Sequence, residues 1–414
     1  MRSSILNSFP LVKKILSFLF YSVSYRIGKF KIRLYKNKYK QFVVVNDILP
    51  DEYSDYESFG GYYDKDLFRN GKLIVNLTKK PTKCLPDPAV PILLVVVDVI
   101  NKNLLFKTEV FAYNWQQGCR AHWIGDNQII FNNFIQDEKR YVSIIYDLSS
   151  HQSRLIPFPV EDSYLDKYIL SLNFNRLNAL RPDYGYRNLP KMTHEELCET
   201  ENDGIWFYDL KTNQSKLIIS LHDVINFDSD EIINSQQIHK VNHFMISPNG
   251  EFFVFIHRCF PNGKRYDRLL LAKITGEIVC TLAHGMVSHL CWMDNKHILG
   301  YMRNNKGEDG YNIVNIESQT FCKSPERFPL YGDGHPTFKN NQVLTDTYPD
   351  KFGIQHLLLY DYSKSQSKEI ACFFHSKHYK GETRCDLHPR FSENGSISLD
   401  SVNTGTRHLY FWLA

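Results

Sequence analysis

The chain has 414 residues, of which 43% are apolar and 14% aromatic, enough to bury a substantial core and unlike a disordered polypeptide. Its nine cysteines are scattered singly with no C-x-x-C pair, which speaks against a disulfide framework or a zinc knuckle and for a reducing compartment. The net charge of +4 is uneven: residues 1–46 hold ten Lys/Arg and no acid, leaving −6 on the remainder, so no basic globular face is left for nucleic acid.

The first 40 residues read as a basic amphipathic arm, separate from the body at 41–414. Its apolar run, residues 15–23, is closed in by Lys13 and Lys14 on one side and by the cluster from Arg26 to Lys40 on the other. That is shorter than the roughly 20 residues needed to cross a bilayer. The expectation is an interfacial helix on an anionic membrane surface, with Leu, Phe and Tyr at the headgroup boundary and Lys and Arg on acidic lipid. A helix packed on the body is the alternative. A signal peptide is disfavoured because no small-x-small cleavage site follows the apolar run. The corresponding location is cytoplasmic, peripheral on the inner face of the membrane, with export as the alternative.

From residue 41 short β-type runs take over, at 42–45, 72–75, 91–100 and 104–113, rich in β-branched and aromatic residues and punctuated by Gly, Pro, Asn and Asp. Between the first two, residues 51–63 form an acidic, tyrosine-dense loop ending Gly60-Gly61-Tyr62-Tyr63. Its rings either stack on a sugar or cover a sheet edge. Strand-turn-strand units then recur at 122–131, 244–255, 290–301, 336–347 and 389–401. From Ser247 to Trp292 is 45 residues, from Trp292 to Phe338 is 46, and from Phe338 to Phe391 is 53. A period near 45 built from short strands predicts an all-β fold, a β-propeller with one four-stranded blade per repeat. Closing strands at 144–148, 205–210, 269–272, 311–314, 357–361 and 409–412, with the strands before 113, make about seven blades. Ring closure asks the two ends of the propeller to share a blade, so a strand near 41–45 is expected to complete the last one.

Residues 172–186 and the polar stretch 188–203 are too long for an inter-strand turn, and long insertions tend to lie on the ligand-binding face. Arg176, Arg181, Tyr184 and Tyr186 are therefore rim candidates for substrate; a surface excursion with a helical turn is the alternative. The chemistry concentrates at the starts of the later blades: His243, His289, His335 in Asp333-Gly334-His335-Pro336, and His388 in Arg384-Cys385-Asp386-Leu387-His388-Pro389-Arg390. The innermost strand of each propeller blade lines the central channel, so equivalent positions converge near one mouth. The four histidines are expected to form one cluster, with Asp386 and Arg384 beside it and Arg390 as a further substrate contact.

Imidazoles with a carboxylate suit Mn²⁺, Fe²⁺ or Zn²⁺. Such an ion, with an arginine, neutralises a sugar carboxylate and acidifies the neighbouring proton, so that a His or Tyr base can open a β-elimination. The same groups could instead hold an anionic glycan without reacting. No nucleophile elbow, P-loop, Rossmann or kinase signature is present, which moves hydrolase triads and nucleotide chemistry down the list.

The register of histidines, the Ser247-Pro248-Asn249-Gly250 turn, Asp333-Gly334-His335-Pro336 and the block from His388 to Phe411 resemble the oligogalacturonate lyase family of seven-bladed propellers, related to TolB-like propellers. The resemblance covers residues 110–414. It implies a manganese ion held by His289 and His388, His243 as general base or substrate contact, His335 as a further ligand by register, and β-elimination of an acidic oligosaccharide. Thr383, Arg384 and Asp386 stand where that family has glutamine and histidine; an arginine there suits a carboxylate- or phosphate-bearing ligand. The arm and the terminal block also look like components of bacterial surface-polysaccharide systems. Three readings follow. The first is a membrane-associated lyase on a uronate-containing oligo- or polysaccharide, with His243 as base, Arg384 as carboxylate clamp, and His289, His335, His388 and Asp386 as the metal centre. The second is a non-catalytic glycan- or protein-binding scaffold for polysaccharide assembly. The third is a glycan-modifying transferase.

Overall fold

The computed structural model describes residues 10–34, 41–228, 232–233, 237–322 and 332–412. The ends of the basic arm, residues 1–9 and 35–40, lie outside them. The described strands form seven antiparallel sheets, the expected seven-bladed propeller. From the channel outward, blade 1 is Glu57–Phe59, Lys72–Thr78, Ile92–Asp98 and Asn103–Val110, with Phe68–Arg69 as an added short strand. Blades 2 and 3 begin with His122–Trp123 and Asp162–Tyr164, blades 4 and 5 with Lys240–Ile246 and Val287–Trp292, and blades 6 and 7 with Thr337–Lys339 and Arg390–Phe391.

The ring closes as expected. Val43–Val44 pairs antiparallel with His408–Trp412, Val43 opposite Phe411 and Val44 opposite Tyr410, as the outermost strand of blade 7. Phe42 packs beside them, its ring 5.8 Å from Phe373 of blade 6, so closing the ring also adds to an inter-blade core.

Strands buried on both faces read as continuous apolar runs rather than alternating ones. In blade 4, Phe252–Cys259 is buried along nearly its whole length because blades 3 and 5 cover its two faces. Polar tips in these interfaces are satisfied across them. Trp123 Nε1 donates to the Leu67 carbonyl (2.9 Å), Trp292 Nε1 to Met245 (3.0 Å) and the Tyr168 hydroxyl to Gly250 (2.6 Å). Each bond ties a blade to its neighbour, so the blades are fixed in angle and their inner strands present a rigid channel wall.

The insertion after blade 3's second strand contains two short helices, Phe174–Leu180 and His194–Cys198. Asn173 caps the first by accepting from the amides of Asn175 and Arg176, and Thr193 caps the second in a capping box with Glu196.

Candidate functional site

The four histidines meet around Tyr62 and Tyr63. The ring centres of His289 and His335 are 4.0 Å apart, those of His335 and His388 4.4 Å, and those of His243 and His289 6.3 Å. Tyr62 stacks on His243 at 5.2 Å and meets His388 edge-on at 4.9 Å. His243 and His388 have φ of 54° and 45°. This left-handed conformation, costly for a side chain with a Cβ, turns both imidazoles out of the strand register and into the channel. A bulge between Asn242 and Met245 accompanies the turn at His243.

Two of the rings are oriented through their Nδ1 atoms. Asp346 accepts His335 Nδ1 at 2.8 Å and also the backbone amides of His335 and His388, at 2.7 and 3.2 Å. His388 Nδ1 donates to the Gly61 carbonyl at 3.0 Å. Both Nε2 atoms are thereby left buried with no hydrogen-bond partner among the described residues. His388 Nε2 lies 4.0 Å from an Asp386 oxygen, and one ligand atom each from His335, Asp386 and His388 all lie within 4.8 Å of one another. His289 points its Nδ1 at Asp333 (3.1 Å), which also accepts from Ser288.

Electrostatics separates the four. Burial, then the neighbouring His335 and Arg390, pushes His388 well below the ordinary histidine range. Burial with His289 and Arg258 does the same to His243, and burial with His335 lowers His289. Burial would lower His335 too, but the Asp346 carboxylate outweighs it and raises its pKa. Asp386 is fully buried, yet Arg384 and His335 hold its carboxyl below the usual range.

Two guanidiniums flank this centre. Arg384 grips Asp386 through Nε (2.8 Å) and Nη2 (2.7 Å) and lies over the Tyr348 ring at 5.1 Å, with 27% of its side chain exposed. Arg181 bonds Asp183 (2.7 Å) and lies over Tyr184 at 4.7 Å, with 30% exposed. Tyr184 itself is buried and meets His243 edge-on at 5.1 Å. Lys240, at the head of the same inner strand as His243, is brought down to about 7 by burial and by Arg258 and Arg181. The arrangement can offer a two-histidine, one-carboxylate donor set at depth and partly exposed cations at the mouth.

Three candidate substrate contacts do not reach this mouth. Arg176 is buried, paired to Asp203 (2.6 Å) and donating to the carbonyls of Leu197, His239, Glu196 and Glu199; it fastens the insertion to the propeller. Tyr186 is fully buried, stacked on Phe174 at 4.5 Å, with its hydroxyl accepting from Asn132. Arg390 is buried against Asp400 (3.1 Å) and donates to the carbonyls of Gly61 and Tyr62. The end of the tyrosine-dense loop does not cover a sheet edge: Gly60 and Gly61 donate their amides to Asp400 (2.7 and 3.2 Å) and lead Tyr62 and Tyr63 into the channel, among the four histidines. Gly61 has φ of 112°, and a Cβ there would meet the Gln117 carbonyl oxygen at 2.7 Å. The paired glycines before paired tyrosines were the available signal for this close approach. Asp333 stands within the Asp333-Gly334-His335-Pro336 motif, whereas nothing in the sequence marks Asp346 as the partner of His335.

The sequence matches no family model and no curated protein. Among solved structures, it is similar to the β-propeller domain of the Trilobed protease from Pyrococcus furiosus, at 13% identity and a TM-score of 0.49, covering 83% of this chain and 91% of that one. It is also similar to the acylaminoacyl peptidase of Pyrococcus horikoshii, at 13% identity and 0.49, covering 87% of this chain and 52% of that one. A putative TolB from Agrobacterium tumefaciens follows at 10% identity and 0.37, covering 75% and 92%. None of these assigns chemistry to the channel; the seven blades are read from this chain's own strand pairing.

Proposed function

We propose that the chain binds an acidic, uronate-containing glycan at the Arg384 mouth of its channel and acts on it by metal-assisted β-elimination. The observation that carries this reading is the pair of buried Nε2 atoms on His335 and His388, unpartnered among the described residues, in a cluster with Asp386. Metal-ligating histidines characteristically have the other ring nitrogen bonded to a carboxylate or a backbone carbonyl. Here Asp346 and Gly61 do that. The donor set therefore fits a divalent ion such as Mn²⁺, held by His335, His388 and Asp386, with His289 next to His335. When bound, such an ion supplies Lewis acidity toward a sugar carboxylate.

The chain's own groups complete the chemistry. Arg384, fixed by Asp386 and Tyr348, offers its exposed edge to the carboxylate, and Arg181 stands across the mouth. His243 is neutral at physiological pH because its pKa is depressed, so its free base form is available to take the proton next to the carboxylate. The Tyr62 ring, stacked on His243, excludes water from one face.

The test is release of an unsaturated uronate, read by its ultraviolet absorbance, from uronate oligosaccharides with the full chain and added Mn²⁺. Product formation abolished by His243→Ala with retained glycan binding supports the reading. Glycan binding without product from any uronate oligosaccharide favours the second reading, a binding propeller. The observation on that side is that both Asp386 oxygens are already engaged by Arg384.

A further inference from the structure

The N-terminal helix Pro10–Leu34 has two dissimilar faces. One is pressed onto blade 6. Tyr25 lies 4.9 Å from the Phe374 ring and its hydroxyl accepts the Lys377 amide at 3.1 Å. Gly28 sits so close to blade 6 that a Cβ would meet the Phe352 carbonyl oxygen at 1.9 Å. On the other face Leu19, Val23, Ile27 and Phe30 are 53, 56, 43 and 63% exposed; Phe20 lies on the propeller side, under Lys351 at 5.7 Å. Their three- and four-residue spacing makes one continuous stripe, and Lys14, Arg26, Lys29 and Lys31 are exposed on the same helix. An apolar stripe of this size, left open to water, marks an interaction surface.

Charge identifies the occupant. Residues 1–46 carry ten cations and no acid, so the helix itself sets only positive charge beside the stripe, while Asp350 of blade 6 lines the cavity at its edge together with Lys351 and Lys377. A second copy of the helix would bring the same charge against it. A bilayer with acidic headgroups supplies both an apolar interior for the stripe and negative charge for its borders.

The helix also sits at a defined end of the channel. It rests on the 347–353 loop, which follows Asp346 and carries Tyr348 under Arg384, and on residues 374–377, which lead into the Arg384–His388 segment. Between helix and propeller is a cavity of about 330 Å³ lined by Tyr21, Tyr25, Lys351, His375 and Lys377. We infer that the helix lies in the surface of an anionic bilayer and turns the Arg384 mouth of the channel toward it, with Lys351 and Lys377 over the headgroups. This inference stands independently of the reaction proposed above.

The experiment is co-sedimentation of the full chain with phosphatidylglycerol-containing vesicles and with pure phosphatidylcholine vesicles, for wild type and a Val23→Asp/Phe30→Asp variant. Both positions are exposed, so the variant should keep the wild-type melting temperature. The expected result is binding to the anionic vesicles that weakens with salt and falls by at least about tenfold in the variant, given the apolar area each side chain buries. Hydrogen exchange on bound vesicles should slow at 349–353 and 375–380 and stay unchanged at 70–71 and 393–395, at the opposite end. Wild type left in the supernatant, variant binding equal to wild type, or protection at the opposite end would overturn the inference. So would a dimer in sedimentation equilibrium that the variant dissolves, which would give the stripe to a second copy.

Discussion

Asp400→Ala tests how the channel is held together. The Asp400 carboxylate accepts the amides of Gly60 and Gly61 and the guanidinium of Arg390, and both charged side chains are 1% exposed. Removing it leaves a buried cation facing only backbone carbonyls, a loss of about 3–5 kcal/mol for a broken buried pair. Two orphaned amides would add about 1–3 kcal/mol each if they acted alone. They share one carboxylate with the ion pair, so the contributions overlap, and a total of about 5 kcal/mol is a reasonable centre. The same change frees Gly61, whose carbonyl orients His388. Urea unfolding measures the first effect, and substrate or metal binding by the surviving folded fraction measures the second. Glu277→Ala is the control, because the Lys273–Glu277 pair is more than 40% exposed on both sides and should cost about 0.5 kcal/mol or less. If Asp400→Ala is as mild as that control, the claim that this carboxylate anchors the tyrosine plug and the His388 carbonyl contact is wrong.

Gly61→Ala should destabilise without any change of charge, since φ of 112° and the Gln117 carbonyl both oppose a Cβ; a wild-type unfolding midpoint would refute this. His375 offers a pH test beside the proposed ligands rather than among them: its Nε2 accepts the Cys385 amide at 3.3 Å and the Asp386 carboxylate lies near it. Burial brings it down to about 4 from an ordinary value near 6.5, so the unfolded chain binds its proton more readily. Stability should therefore fall as pH drops from about 6.5 toward 4, by up to about 3 kcal/mol from this residue. A His375→Gln variant should show a flatter stability curve across that window, and parallel curves would contradict the assignment.

The architecture was legible because it is periodic. Turns such as Ser247-Pro248-Asn249-Gly250 recur at nearly constant spacing, each bounded by strands that must be buried on both faces, and closure through residues 43–44 follows from geometry alone. The convergence of His243, His289, His335 and His388 was legible for the same reason, since register in the repeat maps onto position around the channel. What the pattern could not convey was pairing across the chain. Arg176 and Arg390 resemble surface cations in sequence, and their partners Asp203 and Asp400 are distinguished only by where the strands bring them. Tyr186 sits in a polar insertion, yet Phe174 on the adjoining helix folds back to cover it. Tyr62 and Tyr63 enter the channel because a carboxylate over 300 residues away captures the two preceding amides. Local composition carries no trace of such a contact.

The central claim is that His335, His388 and Asp386 form a divalent-metal centre. Its most direct test is elemental analysis of the full-length purified chain beside His388→Ala and Asp386→Ala variants that retain the wild-type circular dichroism spectrum. The expected result is a stoichiometric complement of Mn, Fe or Zn in the wild type that both variants lose. A wild-type chain that neither carries metal nor takes up Mn²⁺, Fe²⁺ or Zn²⁺ on titration would contradict it.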